Sequence, residues 1–176
     1  MADHGSALTL EARIGRLEAE AELRQLVARY ALAVDSRDLN TLVSLFCTDV
    51  ACGRWGNGRA ALAAFYDGML RRFKRTIHTV ASQVIDLDGD GVAQGVVYCR
   101  AEHEVGDDWV VQSLCYFDDY EREAGRWRFR RRSVESFYVN DILARPGNPT
   151  FLQHPGLARH TRLPERFPTW RAFWDE

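Results

Sequence analysis

At 176 residues, 46% hydrophobic and 27% charged, the chain can bury one ordinary core, which predicts a single soluble domain. A formal net charge of −2, with acidic and basic residues interspersed, excludes a sustained electrostatic footprint for nucleic acid or an anionic membrane. Four cysteines, Cys47, Cys52, Cys99 and Cys115, lack C-x-x-C spacing and make no zinc framework with the five histidines, so they read as free thiols with no metal. The first residues carry no secretory or transit pattern, and no apolar run approaches the ~20 residues of a membrane helix. The expected location is the cytoplasm.

The pattern begins helical. Leu8, Leu10, Ile14, Leu17, Ala21, Leu23, Leu26, Val27, Tyr30, Ala31 and Val34 recur at helix-like spacing, predicting one long helix or two joined helices that end near Ser36. Asp38 reads as the N-cap of a short helix carrying Leu39, Leu42, Val43, Leu45 and Phe46. A brief strand, Asp49-Val50-Ala51-Cys52, and a glycine-rich turn from Gly53 to Gly58 lead into a third helix with Ala61, Leu62, Phe65, Tyr66, Met69 and Leu70.

From Thr76 the period changes to two. Strands are predicted over roughly 76–87, 92–105, 109–123 and 126–138, joined by short Asp/Gly turns into an antiparallel meander. The fold class is therefore α+β: three N-terminal helices against a curved antiparallel sheet that closes into a cone-shaped barrel with an internal pocket, over residues 1–140. Residues 141–176 hold all the prolines (Pro146, Pro149, Pro155, Pro164, Pro168) and an aromatic end, Trp170, Phe173 and Trp174. They read as a tail covering the pocket or a neighbouring subunit.

Two residues stand out chemically. Asp35 closes the long helix and His78 lies inside the first strand; a carboxylate accepting the ring N–H of a partly buried imidazole fixes its tautomer and raises its basicity. Against that, an aspartate after a helix is ordinarily a cap and a strand histidine ordinarily a satisfied, half-buried residue. Period two puts His78, Val80, Ser82 and Val84 on one side of the first strand, and Cys99, Ala101 and His103 on one side of the second. Both histidines line one cavity if those faces point inward; the inverted register exposes His103. Tyr30 and Asp35 are five residues apart, about 500° around an ideal helix, so they converge only if the helix loosens before Asp35. Arg132 belongs to the run Arg128, Arg130, Arg131 and Arg132, where an outward position suits it equally well. Phe46, Trp55, Leu114 and Tyr116 are candidates for an apolar substrate lining, with Phe65 and Met69 assigned to core packing.

Several stretches resemble a known family. Tyr30 with Ala-Val-Asp35-Ser-Arg-Asp38, Leu45-Phe46 with Asp49-Val50, Thr76-Ile77-His78, and Gly125-Arg126-Trp127-Arg128-Phe129 together resemble the SnoaL-like branch of the nuclear transport factor two-like superfamily. That branch contains scytalone dehydratase, bile-acid 7α-dehydratase and hexachlorocyclohexane dehydrochlorinase. The resemblance implies an Asp35–His78 catalytic dyad, a pocket tyrosine at Tyr30, a second active-site histidine at His103 and a pocket arginine at Arg132. It departs from bile-acid dehydratase near Ser136, where that enzyme's late arginine would fall. It further implies a cofactor-independent lyase acting on a small hydrophobic cyclic or aromatic hydroxylated compound, by water loss. The alternatives are retro-aldol release of formaldehyde from a lignin-derived diarylpropane diol, double-bond isomerisation, or a non-enzymatic binding module. Relatives commonly form homotrimers through the outer sheet face, so a homo-oligomer, trimer favoured, is expected.

Overall fold

A computed structural model of the chain describes residues 8–89 and 91–143. Helix α1 (Leu10–Asp35) starts at Thr9, whose hydroxyl accepts the Ala12 N–H at 3.2 Å. Helix α2 (Leu39–Ser44) is capped as predicted by Asp38, which accepts the Thr41 N–H at 2.9 Å. Helix α3 (Gly58–Leu70) completes the helical layer. Strands β1 (Thr76–Gly89), β2 (Val92–Val105), β3 (Asp108–Glu123) and β4 (Arg126–Asp141) form one antiparallel sheet in the order β1-β2-β3-β4. The sheet is curved and open, and the three helices pack on it.

The core lies between these layers. Leu23, Val27, Leu42, Val97, Leu114, Tyr120 and Phe129 are fully enclosed there. At roughly 1.5–3 kcal/mol per buried large apolar side chain, this packing, rather than any single bond, orders the helices against the sheet. The helical stripe meets the sheet later than its pattern suggests: Leu10, Ile14 and Leu17 are exposed, and burial begins at Ala19. Toward the start of α1 it is Ala12, Gly15 and Ala19 that face the β1–β2 turn, and small side chains leave a groove there.

Two further expectations are corrected. Residues 49–52 do not form a strand, because the segment satisfies its own backbone: Cys52 N–H donates to Gly56 O at 2.8 Å and Gly58 N–H to Val50 O at 2.7 Å around a 3₁₀ turn, Gly53–Trp55. In β1 a register shift between Val80 and Gln83 reverses the facing, so Gln83, Ile85 and Leu87 turn inward where Ser82 and Val84 were expected; Val84 is 58% exposed. The shift lies beyond His78, whose inward position it leaves alone. The proline-rich tail assigned to residues 141–176 lies outside the described residues apart from its first three positions. No helix among the described residues is long and apolar enough to cross a membrane.

Candidate active site

The site starts at the end of α1. Asp38 N–H donates to Ala33 O at 2.9 Å and Arg37 N–H to Val34 O at 3.2 Å, the paired bonds of a Schellman ending, with Arg37 in the left-handed region at φ 62°. This ending delivers Asp35 to the first residues of β1. The Asp35 carboxylate accepts three hydrogen bonds there. His78 Nδ1 and the Thr76 hydroxyl meet Oδ1 at 2.7 and 2.8 Å, and the His78 backbone N–H meets Oδ2 at 2.8 Å.

Burial pushes the Asp35 carboxyl up, but the His78 ring and backbone N–H together with the Thr76 hydroxyl outweigh it and hold the group below its ordinary value of 3.8. An ionised Asp35 accepts the Nδ1 proton, and in the neutral imidazole this tautomer leaves the lone pair on Nε2. The His78 side chain is 8% exposed and that of Asp35 is 26% exposed, so the carboxylate keeps some contact with solvent while the imidazole is nearly enclosed.

His78 opens on a cavity of about 260 Å³. Its polar lining consists of Tyr30, Thr76, His78, His103, Gln112 and Tyr116, and its apolar lining of Val34, Phe65, Met69, Leu70, Phe73, Leu114 and Val134. No Lys, Arg, Asp or Glu is among the described lining residues. His103 sits with its ring 5.8 Å from that of His78 and 4.7 Å from Phe73. Burial first, then the neighbouring His78, pushes its pKa down from 6.5 to about 4, so it is neutral near pH 7. Its Nδ1 has no hydrogen-bond partner among the described residues.

Beneath the cavity lies a sealed ionic cluster. Arg132 donates through Nε and Nη2 to both oxygens of Asp118 at 2.8 and 2.6 Å, with side chains 3% and 0% exposed. Burial disfavours the Arg132 charge, but Asp118 keeps the guanidinium above its ordinary pKa. The rings of Tyr30, Tyr116 and Phe129 surround it at 4.1–4.2 Å.

The sequence candidates therefore divide. Asp35, His78, His103, Tyr30, Leu114 and Tyr116 meet in or directly behind the cavity. Tyr30 does so without any loosening of α1, which stays helical through Asp35: its ring faces the core, where its hydroxyl meets that of Tyr66 at 3.2 Å, while Asp35 faces β1. Arg132 points inward, because a β4 irregularity opposite Asp119/Tyr120 turns it to the same side as Phe129. It is nevertheless held by Asp118 behind the tyrosine rings and is not a lining residue. Phe46 is 3% exposed and packs on Phe129, Tyr66 and Tyr30 in the core rather than in the cavity. Trp55 lies outside, 46% exposed on the 3₁₀ turn, where its ring meets that of the lining residue Phe65 edge-on. Phe65 and Met69, assigned to the core, do pack against it, and they also line the cavity.

Gln112, Thr76, Phe73 and Arg37 were not selected from sequence. Gln112 was accessible to reasoning, since it is two residues before Leu114 on the same strand face, and its amide donates to Ser136 Oγ at 2.6 Å. Among the described residues, no group of three or more His, Cys, Asp or Glu side chains gathers to hold a metal ion.

A curved, open antiparallel sheet with three helices packed on it is the cone-type fold of nuclear transport factor two-like proteins. The chain belongs to the SnoaL-like domain family, which its sequence matches over residues 15–133. Its fold is similar to that of a scytalone dehydratase-like protein of Novosphingobium aromaticivorans, at 23% identity over 76% of this chain and 94% of that one, with a TM-score of 0.64. It is similar to the type 3 hexachlorocyclohexane dehydrochlorinase LinA of Novosphingobium barchaimii, at 19% identity over 78% and 99% of the two chains, TM-score 0.67. It is also similar to Rv3472, a protein of unknown function from Mycobacterium tuberculosis, at 22% identity over 81% and 89%, TM-score 0.63. The sequence matches no curated protein.

Proposed function

We propose that this protein is a cofactor-independent lyase that removes water from a small, uncharged, hydroxylated cyclic or aromatic compound. The observation that carries the reading is the 2.7 Å Asp35–His78 contact at the wall of a cavity whose described lining has no charged side chain. Nε2 of His78 takes the proton from a carbon next to an electron-withdrawing group, and Asp35 stabilises the imidazolium that forms. The C–O bond breaks as the C=C bond forms, and the departing hydroxide takes up the proton that His78 Nε2 has just accepted, which releases water and returns the imidazole to its neutral form. Neutral His103, the Gln112 amide and the Tyr30 hydroxyl are the groups able to orient the leaving oxygen by hydrogen bonding. The apolar wall excludes water that would otherwise compete for the base.

The cavity volume limits the substrate. About 260 Å³ falls below the ~300–1,000 Å³ of common ligand pockets, which favours one or two rings over an extended diarylpropane. Aldehyde release by the same base remains the second reading, since it would begin with Nε2 taking a hydroxyl proton.

The test is incubation of the purified protein with a panel of hydroxylated alicyclic and aromatic compounds, without added metal or nucleotide, followed by mass spectrometry. Loss of one water supports the reading; loss of one formaldehyde replaces it with the second; an isomer of unchanged mass points to double-bond migration. A His78→Ala variant that converts a verified substrate at the parental rate would end the base assignment. The same reading includes a homotrimer, supported by the exposed Ile77, Val84 and Tyr98 on the outward side of the sheet. Size-exclusion chromatography with light scattering is expected to give three chain masses, and a monomer mass would reject it.

A further inference from the structure

Arg37 occupies a position that its backbone does not favour. The residue after the cap of a Schellman ending adopts the left-handed conformation, which glycine takes without steric cost and side chains with a Cβ take reluctantly. Here the position holds arginine at φ 62°, and its guanidinium turns back onto the site. Nη1 donates to Val34 O at 2.8 Å and to the Thr76 hydroxyl at 2.7 Å, while Nη2 donates to Phe73 O at 3.2 Å. One planar group thus ties together the end of α1, the start of β1 and the segment between α3 and β1.

The Thr76 contact gives this tether a chemical direction. Arginine has donors only, so the Thr76 oxygen must accept from Arg37, and its single proton is left for Asp35 Oδ1 at 2.8 Å. Asp35 Oδ1 in turn receives the His78 ring N–H. The chain of donors therefore runs one way, from Arg37 through Thr76 to Asp35, and ends on the same carboxylate oxygen that receives the imidazole N–H. Through its bond to the Phe73 carbonyl the same guanidinium also holds a residue of the cavity wall whose ring lies tilted against His103.

We infer that Arg37 is a positioning residue for the Asp35–His78 pair, acting through Thr76 and not through contact with substrate. The inference rests on the proposed role of that pair, but its geometric part does not require turnover. Arg37→Gly is the informative variant, because glycine suits the left-handed cap and so removes the guanidinium with its side chain without straining the backbone. The parent protein is expected to show a far-downfield ¹H resonance from the His78 Nδ1 proton, absent in His78→Ala. In Arg37→Gly, with thermal stability and circular dichroism like the parent's, that resonance shifts upfield or broadens beyond detection, and Thr76→Val gives the same change.

With a substrate from the panel, kcat falls about 10- to 100-fold in Arg37→Gly while KM stays within a few-fold, the size expected for removing a partner of a functional group. Arg37→Lys, which reaches Thr76 but cannot bridge to Phe73 as well, recovers part of the loss. An unchanged downfield resonance together with a parental kcat in a folded Arg37→Gly protein overturns the inference. If the parent turns over nothing, the resonance alone decides it, so failure here and failure of the lyase reading are separate results.

Discussion

At the scale of single residues, the site sets two histidines side by side, one hydrogen-bonded to Asp35 and the other buried against Phe73. Asp35→Asn exchanges the acceptor for a neutral amide and is expected to lower the turnover of any accepted substrate by about 10²- to 10⁴-fold with little effect on binding, as single-turnover kinetics would show. His103 gives a signature that needs no substrate. Its pKa is about 4 in the folded protein against 6.5 for the free group, so between those values the unfolded chain binds a proton that the folded chain refuses. Stability from this residue is complete above pH 6.5 and declines as the pH falls toward 4, by about 3 kcal/mol in all. Below that the folded protein also protonates and the slope vanishes. Urea titrations at stepped pH should show this decline in the parent and its absence in His103→Asn; equal slopes would place His103 in a wetter setting. Asp35, with its carboxyl held below 3.8, adds a separate loss only at more acidic pH.

At the scale of elements, close approach between strands governs what changes are tolerated. A Cβ on Gly95 would lie 3.0 Å from both Val84 O and a Tyr120 ring carbon, and the carbonyl cannot yield without moving β1. Gly95→Ala is expected to cost about 1–3 kcal/mol, readable from the urea midpoint. The strands themselves were legible from residues: three of the four observed ranges lie within a few positions of the alternating pattern, and β4 extends to Asp141. So were the Asp38 cap and the end of α1. What period two could not supply was its own interruptions. A bulge adds one residue to one strand, leaves no compositional mark here, and reverses every facing beyond it, which is why Ser82 and Val84 were expected inside and Arg132 could be read either way. Trp55 was expected in the lining as an aromatic side chain, but the glycines around it allow a tight turn that leaves the ring outside.

For the whole molecule, the buried Asp118–Arg132 pair beneath the cavity is the point of greatest sensitivity. Tyr120 donates to Asp118 at 2.7 Å and accepts from Gln83 at 3.2 Å, so the pair is joined to β1 as well as to its own two strands. Asp118→Ala strands an enclosed guanidinium and is expected to destabilise the protein by about 3–5 kcal/mol, whereas the double change Asp118→Leu with Arg132→Met should cost much less. Comparing the two by denaturant unfolding separates the penalty of a lone buried charge from the worth of the pair. A double variant that is as unstable as the single one would show that shape, not charge, dominates there.

The two sides of the cavity come from different parts of the chain. Asp35, Thr76, His78 and His103 belong to α1 and the first two strands, whereas Phe65, Met69 and Leu70 belong to α3. In the proposed reading, the reacting groups and the share of the cavity wall that α3 contributes thus come from separate stretches of sequence. Transplanting residues 58–70 from a relative would be expected to alter which compound is accepted while leaving proton abstraction intact, so that one fixed base can serve a succession of differently shaped guests.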